Sequence, residues 1–184
     1  MCTKDDINAM SFAIRLLIHY IGDIHQPLHM SALVDERFPS GDKGGNAYVL
    51  KNHYSSPELH AVWDHVVYEF HTTLHVPLSD ADWATQGDQA KRIMTEHPES
   101  SIHDVKSLDL EVWAAESLQL SRDVVYKNLP PSASDSVLTQ AYVDAGVKLA
   151  ELRIATGGYR LANLLEHMDL STMFEKAQSL EILL

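Results

Sequence analysis

The sequence has a single cysteine, Cys2. One thiol permits no internal disulfide and no zinc site built from thiolates. There is no run of eighteen apolar residues, so no segment reads as a membrane-spanning helix. Basic side chains are scarce, 14 Lys and Arg against 26 Asp and Glu, for a formal net charge of −12 with histidine neutral. That balance excludes a protein that grips nucleic acid through a broad basic surface, but not one that meets phosphate through bound metal. No Asn-x-Ser/Thr acceptor occurs. Met1-Cys2-Thr3-Lys4-Asp5-Asp6 is no basic leader followed by an apolar stretch, so this stretch is not read as a secretory signal.

What is present is a chain of 184 residues, 45% apolar and 22% charged. Those proportions suit one globular domain and exclude wholesale disorder or a fibre. Eleven histidines occur, and ten of them fall between His19 and His103. Histidine concentrated among carboxylates is the raw material of a nitrogen- and oxygen-ligated metal site.

The apolar periodicity predicts a mainly α, all-α fold with a small loop or hairpin insertion. Thr3 and Asp6 form a capping-box pattern ahead of Ile7, Met10, Ile14, Leu17, Ile18 and Ile21. Residues 4–25 are read as a buried helix that Pro27 ends. Residues 30–45 form a loop, with Pro39-Ser40-Gly41-Asp42 and Gly44-Gly45 as turn material. A short strand is expected over Asn46–Asn52, and a helix from Pro57 through Tyr68. Ser79 and Asp82 predict another box, opening a helix to about His97. A helix from Leu108 to Asn128 is stopped by Pro130-Pro131. The last runs from about Ser136 to His167, with Gly157-Gly158 marking a kink or the close packing of a neighbour. Residues 168–184 read as a short amphipathic extension.

Two clusters carry chemistry. In His19-Tyr20-Ile21-Gly22-Asp23-Ile24-His25-Gln26-Pro27-Leu28-His29, His19 and Asp23 are four apart and share a helix face. His29 follows Pro27 on the turn where the chain leaves the helix. In His60-Ala61-Val62-Trp63-Asp64 the four-residue spacing recurs. One such pair alone reads as a surface hydrogen bond. Two pairs with His29 provide five nitrogen or oxygen ligands. Zinc takes imidazole and carboxylate readily, and three protein ligands leave room for water. Neighbouring zinc ions suit the hydrolysis of phosphate esters.

These residues resemble the core motifs of the zinc-dependent class I nucleases, which comprise fungal single-strand nucleases, plant bifunctional nucleases and protozoan 3′-nucleotidase/nucleases. His19 to His29 resembles the family's first motif. Gly44-Gly45-Asn46 looks like its Gly-Gly-Asn, and Leu59-His60-Ala61-Val62-Trp63-Asp64 like its Leu-His-x-x-Trp-Asp. Trp113-Ala114-Ala115-Glu116-Ser117 is similar to a later Trp-Ala-x-Glu-Ser. Gly158-Tyr159-Arg160-Leu161-Ala162 is similar to a final-helix Gly-x-Arg-Leu-Ala. The resemblance covers about residues 10–167.

The resemblance implies a mostly helical fold with three zinc ions. It makes His19 and Asp23 ligands of a buried zinc pair, with Asp23 shared between two ions. It gives His29, His60 and Asp64 one further zinc and sets Asn46 near the scissile phosphate or the nucleotide. It implies cleavage of single-stranded RNA or DNA, or of 3′-nucleotides, by a protein secreted through a signal peptide. The family's N-terminal Trp, whose amino group ligates zinc, and the further ligands that follow it have no counterpart here. Residue 58 is Glu where many members have Asn, and the Met30–Lys43 loop is longer than in short fungal members, which resembles the protozoan branch. The expectation is therefore a nuclease-like domain over 1–167 lacking its N-terminal part. One zinc site (His29, His60, Asp64) is complete, one (His19, Asp23) half present, and one keeps only Asp23.

Three readings stay open. The chain is a zinc-dependent nuclease or 3′-nucleotidase. Or it is a one-zinc remnant that needs a missing N-terminal segment or a second chain. Or it is a relative of the zinc-dependent phospholipases C, although no exposed apolar rim for lipid and no membrane insertion are expected. The remaining candidates read as structural. His25 is taken as a hydrogen-bonded helix-end residue, Trp63 and Trp113 as core, and Arg160 as a salt-bridge partner. His53, His65, His71, His75, His97 and His103 are expected to face solvent, Asp80, Asp82 and Asp88 to form a solvated face, and Cys2 to be incidental.

Overall fold

The computed structural model describes residues 4–51, 57–70, 74, 76–168 and 170. Thr3 of the first capping pattern, Cys2, His53, His71, His75 and residues 171–184 lie outside the described residues. Among those described, the α-helices are α1 (Lys4–His25), α2 (Leu59–Asp64), α3 (Asp80–Glu96), α4 (Leu110–Leu120) and α5 (Gln140–Met168). The fold is mainly α, as the periodicity predicts. No helix among these residues is long and apolar enough to cross a membrane.

The core gathers Leu28, Tyr48, Leu50, Leu59, Val62, Trp63, Val67, Val125 and Tyr142. It sits between α2, the turn before it, the end of α4 and the first half of α5. Helix α1 packs on α4 and α5, and it is not the buried helix its periodicity suggests. Ile21 is buried, but Phe12 is 63% exposed and Ile18 and Tyr20 are exposed too. Of its apolar spacing, Met10, Ile14 and Leu17 are half-buried and only Ile21, near the C-terminal end, is fully covered.

The expected strand over Asn46–Asn52 reduces, where described, to one antiparallel bridge between Val49 and Glu58. The chain here is held by separate bonds on two sides. Val49 N–H donates to Ser132 Oγ (2.9 Å) and Lys51 N–H to the Ser136 carbonyl (2.8 Å). Those partners take the place of a second strand.

Helix α2 stops at Asp64, four residues short of the expected Tyr68. Val66, Val67 and Tyr68 turn left-handed, with φ of 52°, 50° and 76°. A left-handed residue costs about 1–2 kcal/mol. The turn drives Val66 and Val67 into the core, and burying a valine side chain returns about 1.5–3 kcal/mol. Val67 lies against Gly146 of α5, where a β-carbon would come within 2.8 Å of its Cγ2.

Helix α3 opens on the predicted Ser79–Asp82 box, with both reciprocal bonds made. Asp82 is therefore a half-buried cap and not part of a solvated face. Helix α4 is shorter than expected. Asp109 caps it, and at Ser121 the chain widens into a π turn through Val125. The extra residue drops Val125 into the core and aims the Tyr126 hydroxyl at Asp42 Oδ2 (2.8 Å). Helix α5 runs unbroken through Gly157-Gly158. The reason for Gly157 is close packing, since a β-carbon there would sit 3.2 Å from the His25 ring.

Candidate metal centre

The site begins with the way α1 ends. The last carbonyls of a helix lack partners within it. Here His25 Nδ1 donates to the Ile21 carbonyl (2.7 Å) and Gln26 N–H to that of Asp23 (3.0 Å). Ser117 Oγ of α4 donates to the Ile24 carbonyl (2.6 Å), and Arg153 Nε of α5 to that of His25 (3.1 Å). Arg153 also reaches Glu116 (3.0 Å), and Glu116 forks to Arg160 at 2.6 and 2.9 Å. Arg160 Nη1 donates to His25 Nε2 (3.2 Å). The Trp-Ala-Ala-Glu-Ser and Gly-Tyr-Arg stretches thus meet at the base of the first motif and fix where α1 stops. Burial lowers the His25 pKa to about 4, so it is neutral at pH 7. Arg153 and Arg160 hold Glu116 below its usual range although desolvation opposes this.

From this anchored end, Pro27–Met30 forms a single 3₁₀ turn that swings His29 back beside α1. Five side chains then form a string. Asp23 Oδ2 lies 3.2 Å from His19 Nε2 and 3.7 Å from His29 Nδ1. His29 Nε2 lies 3.9 Å from Asp64 Oδ1, and His60 Nε2 3.6 Å from Asp64 Oδ2. All five residues expected as ligands are therefore brought together. His29, His60 and Asp64 form a mutual set whose ligand atoms lie within 4.8 Å of one another.

The donor set fits a divalent metal. Ligand atoms at ordinary zinc bond lengths around a tetrahedron lie about 3.3 Å apart, close to the separations along this string. His60 Nδ1 faces the Gly44 carbonyl at 2.7 Å. A carbonyl only accepts, so Nδ1 carries the proton and Nε2 presents its lone pair to the site.

The Gly44 carbonyl reaches His60 because the loop presses against the 3₁₀ turn. Gly44 has φ +64°, and a β-carbon there would stand 2.5 Å from the Leu28 carbonyl oxygen; Gly45 has φ +84°. Buried Asp42 holds the loop, accepting from Leu33 N–H (2.9 Å) and the Tyr126 hydroxyl. Asn46 follows on the same turn but is exposed, and its amide donates to the Lys43 carbonyl (2.8 Å). Its side-chain bond thus goes to its own loop and not to any of the five candidate ligands.

A cleft of about 570 Å³ opens over the string, between α1 and α5. His19, Asp23, His29 and Asp64 lie on its polar edge. Ile18, Ile21, Trp63, Ile154 and Leu161 form its apolar wall.

The other residues fall largely as expected. His25 is buried and hydrogen-bonded, and Arg160 is a buried ion-pair partner. Trp113 lies in the interior against His25, and Trp63 is core with one face on the cleft. His103 is exposed, but His65 departs from its solvent-facing reading: it is half-buried, its Nδ1 on the Ala61 carbonyl. His97 departs from its solvent-facing reading. It is half-buried beside Glu96 and Glu151, a second set within metal-ligand reach. Arg92 already pairs with both of those carboxylates, so the charge a cation would supply is present. Sequence reasoning missed Gln26, Arg153 and Asp42. Gln26 lay inside the first motif, which was its signal; the other two act through contacts distant in the chain.

A family model described as S1/P1 nuclease matches residues 2–169. Endonuclease 5 of Arabidopsis thaliana is 30% identical over 159 residues, covering 85% of this chain and 50% of its own length. Nuclease P1 of Penicillium citrinum is 30% identical over 165 residues, covering 82% and 55%. Nuclease S1 of Aspergillus oryzae is 29% identical over 161 residues, covering 84% and 53%. The chain spans about half the length of these curated relatives. With nearly all of it matched, and with the motif residues assembled around one cleft, the chain belongs to the S1/P1 nuclease family.

Proposed function

We propose that this chain carries the metal-holding part of a zinc-dependent hydrolase. Its substrates are phosphodiester bonds of single-stranded RNA or DNA, or the 3′-phosphate of nucleotides. The observation that carries this is the His29–His60–Asp64 set, with the His60 tautomer fixed by the Gly44 carbonyl. His29, His60 and Asp64 would hold one zinc, and His19 and Asp23 would contribute to a neighbouring pair. Zinc in such a set supplies activated water and stabilises charge building on phosphoryl oxygens.

The chain's own residues give that chemistry its place. Asp23, between two imidazoles, sets the spacing of the ligands and orients His19 and His29. The apolar wall excludes water from one side of the cleft, where a nucleobase can lie while its phosphate meets the polar edge. Asn46 is assigned to the phosphate or nucleotide once its amide leaves the Lys43 carbonyl. The same reading assigns the intact protein to the secretory pathway or cell surface. The unit is a nuclease-like domain over 1–167, with 168–184 as an extension.

A second reading is favoured by one observation. The compact ligand set accounts for one metal. On that reading the chain is a one-zinc unit that acts only with a further segment or second polypeptide. Zinc content and hydrolysis separate the two. Purified chain refolded with zinc is analysed for metal and assayed on single-stranded DNA, polyadenylate and 3′-adenosine monophosphate. About three ions with hydrolysis supports the enzyme. About one ion without hydrolysis supports the one-zinc unit, and no bound zinc sinks both.

A further inference from the structure

Gln26 stands between the buried His25 and Pro27, where α1 hands over to the turn that carries His29. It is half-buried, and both ends of its amide are engaged. Its Oε1 accepts from Leu28 N–H (2.5 Å), capping the 3₁₀ turn. Leu28 N–H can only donate, which leaves the amide nitrogen facing the other way. Nε2 donates to Asp64 Oδ1 at 3.0 Å, at the end of α2. One side chain thus ties the turn bearing His29 to the helix bearing His60 and Asp64, across 38 residues of sequence.

The contact is also selective. Oδ1 faces His29 Nε2 at 3.9 Å but is already engaged by the Gln26 N–H, whereas Oδ2 faces His60 Nε2 at 3.6 Å. Lysine or arginine would hold Oδ1 as well, but its charge would oppose a cation beside it. A neutral amide orients the carboxylate without that penalty.

We infer that Gln26 is a positioning residue of the metal centre. It reserves Asp64 Oδ2 as the ligating oxygen and sets the distance between the His29 turn and α2. The inference rests on the metal reading above, and the test separates the two. Zinc dissociation constants are measured by competition with a chromophoric chelator for the wild-type chain, Q26M, D64A and the double variant. Cobalt(II) absorption spectra are recorded alongside. Wild-type chain that binds no zinc overturns the metal reading, and this inference with it.

Where wild type binds, Q26M weakens zinc by about 10- to 100-fold, the range for partners that orient ligands. In the D64A background the same change costs little, because Gln26 acts through Asp64. Unchanged affinity in Q26M, or an equal loss in both backgrounds, overturns the inference alone. Should Q26M fail to fold, Q26E keeps the cap on Leu28 and replaces the donor at Asp64 with an acceptor. Its cobalt spectrum then departs from wild type; an identical spectrum overturns the inference.

Discussion

Arg153 Nε donates to the main-chain carbonyl of His25, joining residues 128 positions apart at 3.1 Å. The bond ends α1 where the turn carrying His29 begins. Arg153→Met removes it together with the bonds to Glu116 and Ser117, while Glu116 keeps Arg160. Each buried partner left unsatisfied costs about 1–3 kcal/mol. Urea denaturation of metal-free protein is expected to show a loss of about 2–4 kcal/mol, with zinc affinity falling as well. A variant as stable as wild type would show that α1 is held by packing alone.

The same network makes stability depend on pH. His25 titrates at about 4 when folded and at 6.5 in the unfolded reference, because burial disfavours its charged form. Between those values the unfolded chain binds the extra proton. Stability is therefore intact above pH 6.5 and is lost as pH falls toward 4, by about 3 kcal/mol. Below that, protonation of Glu116 removes more, since its folded pKa is lowered and its contribution disappears in acid. Melts in a chelating buffer between pH 7.5 and 4.5 read the slope. A flat profile over pH 6.5–4.5 contradicts the assignment of neutral His25.

Zinc should stabilise the fold through the His29–His60–Asp64 set. A ligand present at about 100 times its Kd adds about 2.7 kcal/mol. A rise in Tm on adding zinc is expected for wild type and for His19→Ala. It should vanish for His60→Ala. Equal shifts in wild type and His60→Ala would move the metal elsewhere.

Two glycines near the ligands should respond with opposite signs. Gly22 on exposed α1 has no neighbour within 4 Å of a β-carbon, so Gly22→Ala should stabilise by about 0.5–1 kcal/mol. Gly44→Ala meets the Leu28 carbonyl oxygen and forces a left-handed alanine, which costs at least about 1–2 kcal/mol. It should also displace the carbonyl that orients His60 and weaken zinc. Matched denaturation and zinc titrations of the pair check both signs.

Much of the site was legible because its signals are local. His19 and Asp23 are paired by helical spacing, Pro27 ends α1 close to where it does end, and the Ser79–Asp82 box opens α3. What stayed hidden depends on partners far along the chain. Helix α2 is cut short by Val67 packing on Gly146, and no pattern within residues 57–68 contains Gly146. The π turn at Ser121 exists because Val125 and Tyr126 find places beside Tyr142 and Asp42. Gly157 was ambiguous between a kink and close packing, and only the position of His25 decides. Gln26 was visible as a letter of the first motif, but its contact with Asp64 needs the two segments side by side.

The exposure of α1 has a consequence for how the ligands are recruited. Isolated helices draw little stability from propensity alone, and tertiary packing supplies most of it. Support for α1 is concentrated at Ile21 to His25, while Phe12, Ile18 and Tyr20 face outward. Amide hydrogen exchange should therefore slow steeply along the helix, from fast before Ile18 to slow at its anchored end. Asp23 belongs to the slow end and His19 to the boundary. On the proposed metal reading, capture of a cation by His19 is then coupled to winding of the helix that carries it. A metal at that position would register as protection of amides well upstream of any ligand.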